Sequence, residues 1–148
     1  MINLEDILNE WKKDSVIDQM ALDDASAITA KLHSKYLEFH SLTKLQLKRR
    51  EHEQASLLRD KWLYFNGKMD KAEMDKRGWP YDPFNGLKVM KADMEYYFNA
   101  DPDMQKQEET IEYMKTLLNT LEEIIGVIKW RHQSISNIIK WKQFTSGV

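Results

Sequence analysis

Residues 59 to 68 read "RDKWLYFNGK": three cations, three aromatic rings and an Asn-Gly turn within ten positions. Ammonium and guanidinium groups neutralise phosphates, and aromatic faces stack on unpaired bases of any identity, so this composition suits single-stranded nucleic acid. On a helical wheel at about 100° per residue, Leu58, Trp62 and Phe65 fall together as an expected buried stripe. Arg50, Leu57, Lys61, Tyr64 and Lys68 gather on one shoulder of that stripe, and Lys48, His52 and Arg59 on the other. Trp62 and Phe65 suit a core, whereas Lys61, Tyr64 and Lys68 suit a ligand. A second basic-aromatic region, "KWRHQ" at 129–133 and "KWKQF" at 140–144, has a similar composition. Cations near a helix C-terminus also simply complement the helix dipole.

Other chemistries find little support. The phosphate-cradling patterns GxxxxGK[ST] and GxGxxG are absent. His33 and His40 lie two helical turns apart, but Ser34, Lys35 and Ser41 beside them make no metal site, and there is no HExxH pattern and no cysteine. The acid pairs Asp23-Asp24, Glu108-Glu109 and Glu122-Glu123 fall at helix starts or on solvated faces. Ser34, Ser56, Ser134 and Ser136 have no base and oxyanion turn nearby. A non-enzymatic protein with no cofactor and no metal is expected. Without cysteine there is no disulfide scaffold, which points to the reducing cytoplasm.

The chain of 148 residues suits one domain with a modest core. Its 31% charged and 42% hydrophobic residues fit a globular class, and no apolar run approaches a transmembrane span. The start, "MINLEDILNEW", is too acidic and polar for a signal peptide. The formal net charge of −2 conceals segregation: residues 1–30 carry −5, residues 44–77 carry +4, residues 101–125 carry −5, and residues 126–148 carry +4. Such blocks point either to a polyanionic partner or to mutual attraction within the fold or between subunits.

The elements that must position these groups read as long helices. Gly67, Gly78, Pro80, Pro83 and Gly86 cluster between 66 and 86, and the flanks are nearly free of breakers. The expected fold is all-α: a single domain over 1–148 with long N-terminal helices through residue 67, an irregular insert over 68–100 and a C-terminal helix over 101–148. Asn3 is an N-cap with Asp6 three residues on, and Leu4, Ile7, Leu8 and Trp11 mark one face. "KDSVIDQ" reads equally as a joint or as more helix. From Asp18 or Asp23 a stripe runs through Leu22, Ala25, Thr29, Leu32, Tyr36, Phe39 and Thr43. It meets a polar gap at Gln46 and Arg50, then resumes at Ala55, Leu58, Trp62 and Phe65, with Gly67 beyond the C-terminus. Such a helix is elongated, spanning roughly 65 Å. Within the insert, Asp70 caps a short helix, Glu73 completes its box and Gly78 ends it, whereas "LKVMKADMEYYF" reads as helix or extended arm. The last helix opens with Asp101 as N-cap and Pro102 at its first position. Met104, Ile111, Met114, Leu118, Leu121, Ile125, Ile128, Ile135 and Ile139 follow heptad steps, Leu117, Ile124 and Ile138 widen the stripe, and Val127, Trp130 and Trp141 lie on another side. A helix apolar on two sides needs two partners, either another subunit or a thick intramolecular core. Leu118, Leu121, Ile125, Ile128, Ile135 and Ile139 are the expected oligomerisation residues.

The order of these features resembles the UvsY recombination mediator family of tailed phages. The likeness begins at "LEDILNEWKKDSVID", residues 4–18, continues through "SKYLEFHS", residues 34–41, and is most specific at "LLRDKWLYFNGK", residues 57–68. That last stretch is similar to the family's DNA-binding motif, of the form LKARLDYYSGR. By that match Leu58 opens the motif, Arg59 and Lys61 are its basic positions, Tyr64 and Phe65 its aromatic pair, Gly67 its glycine and Lys68 its closing cation. Trp62 and Leu63 stand where the motif has a leucine and an acid. The resemblance covers about two thirds of the chain, the 69–86 insert matching poorly. It implies binding of single-stranded DNA, with Lys48, Arg50, Arg59, Lys61, Tyr64, Phe65 and Lys68 as the expected contact residues. It further implies a ring-like homo-oligomer of six or seven subunits that helps a RecA-like recombinase replace the single-strand-binding protein, in the cytoplasm of the infected bacterial host. Two other readings stand beside it: a helical scaffold or adaptor with protein partners only, and an RNA-binding helical protein.

Overall fold

The computed structural model describes residues 2–147, and every regular element among them is helical. Helix α1 spans Leu4–Asp14, α2 Leu22–Ala27, α3 Thr29–Phe65, α4 Lys71–Arg77, α5 Met94–Ala100 and α6 Pro102–Thr145, with a 3-10 turn over Lys91–Asp93 before α5. The chain divides into two compact units, residues 1–46 with 114–148, and residues 47–113; α3 and α6 contribute to both.

Local chemistry sets the helix ends. The Asn3 side chain accepts from the Asp6 amide at 2.8 Å, satisfying a donor that α1 cannot pair internally. Asp70 does the same for Glu73 at the head of α4, and Asp101 for Met104 at the head of α6. The Glu73 carboxylate accepts from Arg77 Nε at 2.9 Å, a use that the expected capping box did not include. Gly67, at φ +67°, ends α3: its amide donates to the Tyr64 carbonyl, and the Lys68 amide reaches back to Leu63. That pairing closes the last turn only when the intervening residue is left-handed, which glycine adopts without a Cβ clash.

Two expectations are refined. Residues 15–21 form a joint, not more helix. The run expected from Asp18 or Asp23 is interrupted at Ile28, where the Thr29 hydroxyl donates to the Ala25 carbonyl at 3.2 Å. Such back-bonding bends helices.

The first unit has an aliphatic core. Ile7, Leu32, Tyr36, Leu117, Leu121, Ile124, Ile125 and Ile128 pack together, with Trp11 and Phe39 against them. Trp11 meets Tyr36 edge to face at 5.4 Å. A polar knot ties α1 to α3: Lys35 Nζ lies 2.5 Å from Glu10 and 2.6 Å from Asp14, and the Tyr36 hydroxyl donates to Asp14 at 2.8 Å. Burial raises the Asp14 carboxyl, but bonds from Lys35 and Tyr36 and the charges of Lys35 and Arg131 outweigh it and hold the group below its ordinary range. Burial, then the bond to Asp14, raises the Tyr36 hydroxyl. Arg131 is buried and donates to the carbonyls of Asp14 at 3.2 Å and Val16 at 3.3 Å, closing the end of α1. Its Nε has no partner among the described residues.

Candidate nucleic-acid interface

The basic-aromatic stretch occupies the last two turns of α3 and the cap beyond it, in the second unit. Burial there inverts the expected wheel. Leu58 and Trp62 are 44% and 42% exposed, whereas Lys61 and Tyr64 are 3% and 4% exposed. The buried face passes from Tyr36 and Thr43 through half-buried Gln46, Arg50, Gln54 and Leu57 to Lys61 and Tyr64 without changing phase. The polar residues read as a gap are part of the stripe. Letting the apolar residues resume at Ala55 and Leu58 shifts the register by one residue, which turns the face by about 100°.

Lys61 is buried because it is paired. Its ammonium lies 3.0 Å from Asp101 and 2.9 Å from Asp103, at the start of α6. The Trp79 ring sits beneath it at 4.0 Å, with Tyr64 and Phe65 at 5.6 and 6.0 Å. Trp79 Nε1 donates to Asp103 at 3.1 Å, so ring and cation share that carboxylate. The bond from Lys61, against an opposing effect of burial, holds the Asp103 carboxyl below its ordinary range. The Tyr64 hydroxyl donates to the Pro80 carbonyl at 2.5 Å. Burial, with the charge of Asp101, raises that hydroxyl's pKa. Phe65 is half-buried against Phe84 and Phe98 at 5.5 and 5.4 Å. The insert therefore supplies the walls around the two expected ligand groups, Lys61 and Tyr64, which face inward.

The remaining cations differ. Arg59 is exposed and lies 3.1 Å from Asp60. Asp60 also accepts from Arg77 at 2.9 Å. Burial raises the Asp60 carboxyl, but hydrogen bonds from Arg59 and Arg77 outweigh it and lower the pKa. Lys68 is exposed and stands 4.6 Å from the centroid of the Trp62 ring. Lys48 is exposed, 3.7 Å from Glu51. Arg50 is half-buried, bonded to Glu53 at 2.9 Å, and its carbonyl accepts from Gln107. Lys61, Tyr64 and Phe65 are thus brought together inside, while Lys48, Arg59 and Lys68 stay on the surface.

Of the expected oligomerisation residues, Leu121, Ile125, Ile128 and Ile135 are buried within the chain itself. Leu118 is half-buried and Ile139 is exposed. Val127, Trp130, Trp141 and Phe144 are also exposed, and Trp141 stacks on Phe144 at 5.8 Å. In the second basic-aromatic region Arg131 serves α1, and Lys142 donates to the Gln19 carbonyl. No helix among the described residues is long and apolar enough to cross a membrane.

The all-α fold, with a basic-aromatic end on α3, defines a helical protein with exposed cations and an exposed indole at one end of its longest N-terminal helix. The crystal structure of the bacteriophage T4 recombination mediator protein UvsY matches it with a TM-score of 0.82 at 28% identity, over 99% of both chains. A second lattice of the same T4 protein gives 0.80 at 28% identity, over 97% of this chain and 99% of that one. The recombination protein uvsY of enterobacteria phage T4 is 29% identical over 146 residues, 99% of each chain. The profile of the family described as recombination, repair and ssDNA binding protein UvsY matches residues 10–148, and the chain belongs to that family.

Proposed function

We propose that this protein is a recombination mediator without enzymatic activity. It binds single-stranded DNA and helps a RecA-like recombinase displace the single-strand-binding protein, in the infected bacterial cell. The family match over residues 10–148 carries this reading. In the proposed interface the exposed cations Lys48, Arg59 and Lys68 meet phosphates, while Lys61, Tyr64 and Phe65 hold the end of α3 in shape from within. The protein acts as a homo-oligomer of six or seven subunits. Its seam uses the exposed apolar residues of α6, with Ile139, Val127 and Trp130 foremost, because Leu121, Ile125, Ile128 and Ile135 are buried within the chain itself.

The test is a salt titration of oligonucleotide binding. Each phosphate contact removed by Arg59→Ala or Lys68→Ala lowers the slope of log affinity against log salt by about 0.7. Strand exchange by a RecA-like recombinase on DNA coated with single-strand-binding protein then falls in step. Unchanged slopes in both variants, with strand exchange intact, favour an adaptor that contacts proteins only. Val127→Ser with Ile139→Ser reduces the native mass while leaving helicity unchanged; an unaltered mass puts the seam elsewhere.

A further inference from the structure

Beside Trp62 lies a cleft of about 430 Å³ lined by Trp62 and Asn66 from α3, Lys91 from the 3-10 turn, and Met94, Glu95 and Phe98 from α5. All six belong to the second unit. The volume falls in the range of small-molecule sites. Its walls are supported: the Asn66 amide donates to the Trp62 carbonyl at 2.8 Å, Phe98 packs on Phe65 at 5.4 Å, and Met94 is buried. Trp62 remains 42% exposed although an indole is costly to leave in water. Lys68 sits over its ring at 4.6 Å, and Lys91 is exposed at the rim.

A neighbouring cleft of about 440 Å³ shares Glu95 and Phe98 but is otherwise lined by Glu51, Gln54, Ala55, Leu58, Asn99, Met104 and Glu108. It holds three carboxylates and no cation, so a phosphodiester is repelled from it. The Trp62 cleft is lined by an exposed indole, one ammonium group, Lys91, and one carboxylate, Glu95, and a second ammonium group, Lys68, lies over the same indole from outside the lining. An aromatic ring with cations beside it suits a flat base on an anionic backbone. We propose that this cleft is a nucleobase subsite: one unpaired base stacks against Trp62, and Lys68 and Lys91 neutralise flanking phosphates. This rests on the single-stranded-DNA binding proposed above. It moves the stacking role from Tyr64 and Phe65, which face inward, to Trp62.

The experiment compares the full-length parent with Trp62→Ala on two probes, a thymidine oligonucleotide and an abasic oligonucleotide of equal length. Stacking on an aromatic side chain corresponds to roughly five- to hundredfold in affinity per base. Trp62→Ala therefore weakens thymidine binding about tenfold or more and leaves abasic binding unchanged. Trp62→Leu, which keeps an apolar side chain at the helix end, shows the same split if alanine loosens the fold. Lys91→Ala lowers the salt slope by about 0.7 on both probes. Equal weakening of both probes by the Trp62 variants, or no weakening of either, overturns the subsite. It does so equally if a protein partner occupies the cleft. A parent that fails to bind thymidine oligonucleotides overturns the function on which the subsite rests, a result distinct from the other two.

Discussion

In residues 1–46 and 114–148, α3 and α6 bury Leu32, Tyr36, Leu117, Leu121, Ile124 and Ile128. In residues 47–113 the same two helices, with the cap of α6, bury Asp60, Lys61 and Asp101 beside Tyr64, Met104 and Ile111. The first unit gains stability by removing apolar area from water, a contribution that grows smoothly with area. The second unit holds charges that are tolerable only as a set. A buried ion pair adds little net stability over an apolar pair of the same shape, but losing one partner leaves an uncompensated charge. The aliphatic unit should therefore respond to lost volume, and the ionic-aromatic unit to lost complementarity.

The largest effect expected from that difference is in the second unit. Lys61→Ala leaves the buried Asp101 without its cation, and costs about 3–5 kcal/mol. Urea unfolding and hydrogen exchange over residues 61–104 measure it. A loss under 1 kcal/mol makes the cluster incidental. Adding Asp101→Asn and Asp103→Asn to Lys61→Met recovers most of the loss if complementarity is the cause.

In the aliphatic unit, Leu121 is fully buried, and Leu121→Ala costs about 2–5 kcal/mol according to how far the core collapses. Exchange protection over residues 114–128 falls first. Benzene or xenon binding in the variant reveals an unfilled cavity, which Lys61→Ala has no reason to create.

Gly67→Ala forces a Cβ into a left-handed residue at φ +67°, where nothing lies within 4 Å. Its cost is therefore conformational alone, about 1–2 kcal/mol. A Gly67→Asn variant loses less, because Asn visits that region readily. Equal losses point instead to crowding at the helix end.

The smallest and most gradual effect is acid destabilisation. Asp14 in the first unit and Asp60 and Asp103 in the second have lowered pKa values. A carboxyl lowered on folding contributes stability that is fully present above its unfolded pKa and is lost as pH falls through its folded pKa. Stability should thus decline below about pH 4, and Asp60→Asn should flatten the decline. Two of the three groups lie in the second unit, so its exchange protection should fall earlier on acidification. Simultaneous loss in both units sinks that ordering.

The helix ends were legible because capping is local. Asn3, Asp70 and Asp101 each satisfy an amide three residues away, and Gly67 and Gly78 adopt the left-handed region that their lack of a Cβ permits. The aliphatic half of the α6 stripe was legible as well, since apolar residues at helical spacing have one favourable place to go. Its destination was not: Leu121, Ile125, Ile128 and Ile135 fit a seam between subunits as well as a core, and only tertiary structure puts them in the chain's own interior. The phase of α3 beyond Thr43 was hidden for a different reason. Gln46, Arg50, Gln54 and Lys61 carry the buried face through polar side chains. Whether such a group is buried depends on partners brought from elsewhere, and Asp101 and Asp103 stand forty or more residues from Lys61. Sequence by itself determined the heads of α1, α4 and α6 and the ends of α3 and α4, where a cap or a glycine acts locally; the break at Ile28 and the start of α5 it left open. Which side of α3 faces inward, and hence that Trp62 rather than Tyr64 is left at the surface, was decided by charge pairing across distant segments, which no local periodicity encodes.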